Sequence, residues 1–151
     1  MNSDKAPAGE ASGHRSQWRV LRRGAALYAA VVAGGVLGSL ARWAVALALP
    51  AAAGAFPWAT FVANASGCLV IGFYASLTGP EGRLFVGPRN RQFVMTGLCG
   101  GYTTFSGFAL ETVGFLIGND VRGAALYVAS SVVSWLAAVW LGEALANWIN
   151  N

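Results

Sequence analysis

Charge is what this chain has least of. Six acidic and ten basic side chains make up 11% of 151 residues, where a soluble domain carries about a quarter. With 56% hydrophobic residues and a mean hydropathy of +0.53, the composition excludes an ordinary soluble domain. Histidine occurs once, at His14, without companions at metal-ligand spacing. The two cysteines, Cys68 and Cys99, each lie in an apolar stretch, so we read them as small packing residues rather than a disulfide or metal pair. The sequence holds no nucleophile, base and orienter set, no phosphate loop and no nucleotide fingerprint. We therefore read the chain as not an enzyme and expect no nucleic-acid partner.

What the chain has in abundance is apolar runs of membrane length. They cover 25–49, 57–77, 92–118 and 123–149, and each meets the ~20 residues that a hydrocarbon core requires. The first, followed by Pro50 and three alanines, imitates a secretory signal, but it is well beyond the ~7–15 apolar residues of such a signal and further spans follow. Short connections then predict an all-α membrane protein of four transmembrane helices in one domain, 25–151. Residues 1–24 form a polar tail with Arg15, Arg19, Arg22 and Arg23, which we expect to be disordered and to act as a topology signal beside anionic headgroups. Trp18, Trp43, Trp58, Trp135, Trp140 and Trp148 fall mostly near span ends and read as interfacial anchors.

The third run carries a contradiction. Gly97-Leu98-Cys99-Gly100-Gly101-Tyr102-Thr103-Thr104-Phe105 crowds glycines and threonines into the centre of a span. Adjacent glycines raise the entropic cost of a helix, and Thr hydroxyls compete for backbone partners. One reading is a helix broken at its centre, whose freed carbonyls can hold an ion. The other is tight packing through the small-xxx-small pair Gly97 and Gly101. Glu111, an intramembrane acid, reads as functional.

Other polar residues line up at helical spacing. Thr60, Asn64, Gly67 and Ile71 share one face of the second run, where the Asn64 amide can serve as interhelical glue or as a ligand donor. Phe105 and Phe108 share a side of the third, and ring edges carry the positive part of the aromatic quadrupole. Thr104 and Ser106 add hydroxyls, and Tyr127, Ser130, Ser131 and Ser134 form a polar stripe on the fourth, as packing contacts or pore lining.

These residues carry a family resemblance. The run from Gly100 to Phe108 (GGYTTFSGF), with Glu111 following, resembles the third-helix motif of the small fluoride channels, the Fluc or CrcB family. The segment from Gly34 to Trp43 is similar to that family's glycine-rich first helix, and Pro57, Thr60, Asn64, Gly67 and Gly72 fall at its second-helix spacing. The resemblance implies an antiparallel, dual-topology dimer with a structural sodium ion at its centre, held by the backbone carbonyls of Gly100 and Thr103. It also implies a fluoride path along Asn64, Phe105, Phe108, Ser106, Thr104 and Tyr127, with Arg42 at the vestibule and Glu111 at the end of the path or in structural support. Three positions depart from the family pattern: Gly107 stands for a hydroxyl residue, Ala59 for a glycine and Cys68 for a serine.

The implied function is a fluoride-selective channel exporting F- passively across the plasma membrane, which lowers the toxicity of cytoplasmic fluoride. Two alternatives stand beside it. A small multidrug-type exporter has this length but needs an acid in its first span, which here holds only Arg42. The other is a non-conducting partner subunit. Lys5, the tail arginines, Arg83, Arg89 and Arg91 fall on one side against Arg122 on the other, which predicts cytoplasmic termini. A fixed orientation calls for a homologous subunit of opposite bias as the antiparallel partner. A tail only weakly read during insertion leaves ordinary dual topology.

Overall fold

The computed structural model describes the backbone of residues 8–52 and 54–151, and side chains from Leu21 onward apart from those at 23 and 53. His14, Trp18 and the cations Lys5, Arg15, Arg19 and Arg23 therefore lie outside the described side chains. Every regular element among the described residues is helical.

Helix α1 runs Ala8–Ala48 and α2 runs Trp58–Leu77. The backbone of α1 begins at Ala8, inside the segment 1–24 that reads from the sequence as a tail. Once the apolar segment has nucleated a helix, each added residue costs little, and Ala, Glu, Gln, Arg and Leu all extend it readily. Pro88 opens α3 (Pro88–Gln92) at a position where its missing N–H is no loss. The helical path continues through a π-helical segment, Phe93–Cys99, into α4 (Gly100–Tyr102).

Thr103 and Thr104 then leave the helix for extended backbone, with φ −79°, ψ 158° and φ −146°, ψ 119°. Helix α5 (Phe105–Ile117) follows. A tight turn in which Asn119 takes a left-handed φ of 56° leads to α6 (Val121–Asn150). The Asp120 side chain caps α6 by accepting from the Gly123 N–H at 2.8 Å.

Three helices among the described residues are long and apolar enough to cross a membrane: Gly24–Ala48 within α1, then α2 and α6. Their outer faces expose Leu40, Trp43, Leu126, Leu136 and Trp140, a distribution that suits lipid rather than water.

Glycine sets the distance between helices. A Cβ on Gly97 would stand 2.7 Å from the Val31 carbonyl oxygen and 2.9 Å from the Gly34 Cα, so α1 lies against the π-helical segment only because neither residue has a side chain. Close packing through Gly97 and the departure from the helix at Thr103 thus occur in successive turns of one segment. Gly72 serves α2 in the same way, since a Cβ there would meet the Val139 carbonyl of α6 at 2.5 Å.

Candidate functional site

Asn64 projects from the middle of α2 and is only 4% exposed. Its Nδ2 donates to the Thr104 carbonyl at 2.9 Å, while its Oδ1 accepts from the Thr104 N–H at 2.7 Å. The N–H and C=O of one residue fix which way the amide faces. Gluing and ligand binding need not compete, because an amide nitrogen has two N–H groups and one remains for another acceptor.

The same contact explains why the helix stops. In a continuous helix the Thr104 N–H would serve the Gly100 carbonyl, and the Gly107 N–H would serve Thr103. Here the first is taken by Asn64 and the second by the Thr104 hydroxyl, at 3.0 Å, as the N-cap of α5. The carbonyls of Gly100 and Thr103 are left without their fourth-residue donors, at the negative end of a short helical stretch. The Thr103 hydroxyl turns back to the Cys99 carbonyl at 2.9 Å, and its methyl occupies the space a Cβ on Gly67 would need.

An open cavity of about 280 Å³ borders this break, lined by Asn64, Cys99, Gly100, Thr103, Thr104 and Phe105, with Cys68 and Trp135 on its wall. Phe105 stands 73% exposed at its edge. The Ser106 hydroxyl lies 3.2 Å from that of Thr104 on the exposed side. At Gly107, a Cβ would come 2.9 Å from the Thr104 methyl, so the missing hydroxyl at this position leaves room for the cap.

Beyond Phe105 the groups become enclosed. Phe108 is 7% exposed, its ring 5.7 Å from Phe105, 5.2 Å from Tyr127 and 4.9 Å from Trp135. Tyr127 is fully buried and donates to Glu111 Oε2 at 2.6 Å. Thr60 donates to the other carboxylate oxygen at the same distance. Glu111 is thus held by a hydroxyl from each of two helices, α2 and α6, at the edge of a second cavity of about 350 Å³ that Pro57 and Phe115 also line.

The structure therefore gathers Asn64, Gly100, Thr103, Thr104 and Phe105 around one cavity, and joins Phe108, Tyr127 and Glu111 in an adjoining cluster. Arg42 is in neither. Its Nε donates to the Gly101 carbonyl at 3.3 Å, which Ser39 also approaches at 3.4 Å, so it braces the end of α4. Among the described residues no group of three or more His, Cys, Asp or Glu side chains is placed to hold a metal ion.

Two participants were not assigned to the site from the sequence. Thr60 shares the Asn64 face one turn earlier, and that spacing already pointed to it. Trp135 was read as an interfacial anchor, but it is half-buried in the middle of α6 and lines the first cavity, a correction to that reading. Its signal was the i, i+4, i+8 spacing from Tyr127 through Ser131.

Membrane-length helices around buried polar groups define a multi-pass helical membrane protein. Residues 29–143 match the family described as CrcB-like protein, Camphor Resistance (CrcB), and the chain belongs to that family. Among its relatives, the Fluoride-specific ion channel FluC 1 of Bradyrhizobium diazoefficiens is 57% identical over 128 residues, covering 85% of this chain and 89% of that one. The FluC 1 of Rhodopseudomonas palustris is 53% identical, covering 86% and 93%. The Fluoride-specific ion channel FluC of Rhodospirillum rubrum is 49% identical, covering 82% and 96%.

Proposed function

We propose that this protein is a fluoride channel that lets F- leave the cell passively, driven by the negative-inside potential, and so lowers its toxicity. The observation that carries the reading is the succession of small-anion donors and aromatic rings from the free Asn64 N–H past Phe105 and Phe108 to Tyr127. Fluoride holds its hydration shell tightly. A path for it must replace water with closely spaced donors that still release the ion, and an amide, hydroxyls and ring edges suit that better than a fixed cation. The names carried by relatives of up to 57% identity support the same ion.

In this reading the segment 92–118 is a third span interrupted at Thr103 and Thr104, which makes four spans in all. The working unit is an antiparallel dimer. Gly100 supports it, because it faces open space with nothing within 4 Å of where a Cβ would stand. The freed carbonyls of Gly100 and Thr103 are hard oxygen ligands at a helix end, a donor set that fits Na+. Two from each copy would give about four ligands on the symmetry axis. The ion would be structural, joining the two breaks.

Purified protein in lipid vesicles tests this. We expect electrogenic fluoride efflux that is indifferent to a proton gradient and to nucleotides and exceeds chloride efflux. Equal release of chloride would reject fluoride selectivity, and no release at all would leave the chain a non-conducting subunit.

A further inference from the structure

Two buried polar groups have no hydrogen-bond partner among the described residues: the Ser131 hydroxyl and the Trp135 indole N–H. They are one helical turn apart on the face of α6 that also carries Tyr127. Trp135 is the fifteenth of the 30 residues of α6. At 1.5 Å per residue it sits about 20 Å from either end, too deep for its N–H to reach interfacial water. A tryptophan whose N–H is buried ordinarily finds a partner, and an orphaned donor marks a place where one belongs.

The chemistry of that partner is restricted. An indole N–H only donates, so it can be satisfied by an anion or a lone-pair oxygen and never by a cation. The Trp135 ring also lines the cavity beside Asn64 and Thr104 and meets the enclosed Phe108 ring at an interplanar angle of 71°. It therefore stands where the open cavity gives way to the closed cluster at Phe108.

We propose that the Trp135 indole N–H is a hydrogen-bond donor to the permeating anion at this transition, with Trp135 acting as a selectivity residue for small, strongly basic halide. The inference rests on the channel reading above. A donor of fixed geometry favours the ion of highest charge density.

The test uses the full chain, with 15N-labelled tryptophan in lipid nanodiscs for spectra and in vesicles for flux. One of six indole N–H resonances should move on titration with sodium fluoride and stay still with equal sodium chloride, and it should be the one missing from Trp135→Phe. Trp135→Phe, which keeps an aromatic ring and removes the donor, should slow fluoride efflux about tenfold or more. Trp135→His, which returns a ring N–H, should recover part of it. If Trp135→Phe does not assemble, Trp→Phe changes at Trp18, Trp43, Trp58, Trp140 and Trp148 assign the resonance by elimination. Wild-type vesicles that conduct fluoride while the Trp135 resonance ignores it would overturn this proposal and leave the channel reading standing. Flux in Trp135→Phe equal to wild type would do the same. Wild-type vesicles that conduct no fluoride would overturn both.

Discussion

Asn64 of α2 and the Thr104 backbone exchange two hydrogen bonds, 2.9 Å and 2.7 Å long, across 40 residues of chain, and this exchange takes from the helix the N–H that would have continued it. Replacing Asn64 with alanine leaves a part-buried N–H and a part-buried C=O of Thr104 unpaired. Each such group costs about 1–3 kcal/mol, so the variant should lose several degrees of thermal stability in detergent along with its fluoride flux. An Asn64→Ala protein as stable as wild type would show that Thr104 is satisfied some other way.

The two phenylalanines should behave differently in stability but alike in flux. Phe108 is enclosed by three rings whereas Phe105 is largely exposed. Phe108→Ile should therefore lower the melting temperature more than Phe105→Ile, because it leaves a larger void. Both remove a ring from the proposed path and should abolish or sharply reduce fluoride efflux while leaving the oligomeric state unchanged. Unchanged efflux in both variants would mark the rings as packing residues.

Tyr127→Phe tests the clamp on Glu111. The change deletes one hydroxyl donating to a carboxylate and keeps the ring that packs on Phe108 and Phe56. Hydrogen bonds to charged groups contribute about 1.5–3 kcal/mol, so if the clamp serves permeation, fluoride flux should fall about ten- to a hundredfold. Thr60→Val, which removes the other donor, should act in the same direction. Normal flux in both would assign the carboxylate to structural support.

Exchange of sodium for a bulky organic cation throughout preparation probes the freed carbonyls. In the proposed dimer the oxygens of two breaks face one another and would repel without a cation, so that assembly should dissociate at lower temperature or detergent load. Restoring Na+ should reverse the loss. A dimer indifferent to the cation would remove the ion from the account.

Orientation can be read by labelling. Ser3→Cys and Asn151→Cys, in a background lacking Cys68 and Cys99, report which side of the membrane holds each terminus in intact cells. The excess of arginine beside the spans should place most termini inside, which would make a homologous, oppositely inserted chain the native partner. Comparable labelling from both sides would establish dual topology and a homodimer.

Much of this was legible because membrane physics writes itself in one dimension. Apolar run length predicted α2, α6 and the apolar part of α1 to within two residues, since a bilayer of set thickness demands it. The sequence likewise marked the stretch at Gly97–Thr104 where the backbone leaves the helix at Thr103 and Thr104, because glycine and threonine carry their backbone preferences with them. It also determined that Asn64 shares a face with Thr60, a matter of helical period alone. How far α1 extends toward the N-terminus is not legible in local polarity, because helix propagation depends on cooperativity.

Only the tertiary structure decided what the polar groups do. That Asn64 meets Thr104, that Glu111 lies between Thr60 and Tyr127, and that Arg42 braces Gly101 are each contacts between different helices. Interhelical register depends on which small residues let the backbones approach, here Gly34 against Gly97 and Gly72 against Val139. Trp135 shows the division most plainly. Its residue type suggested the interface, but its depth in α6 and its packing on Phe108 put an unpaired N–H in the interior, because burial is a property of the assembled helices and not of the indole.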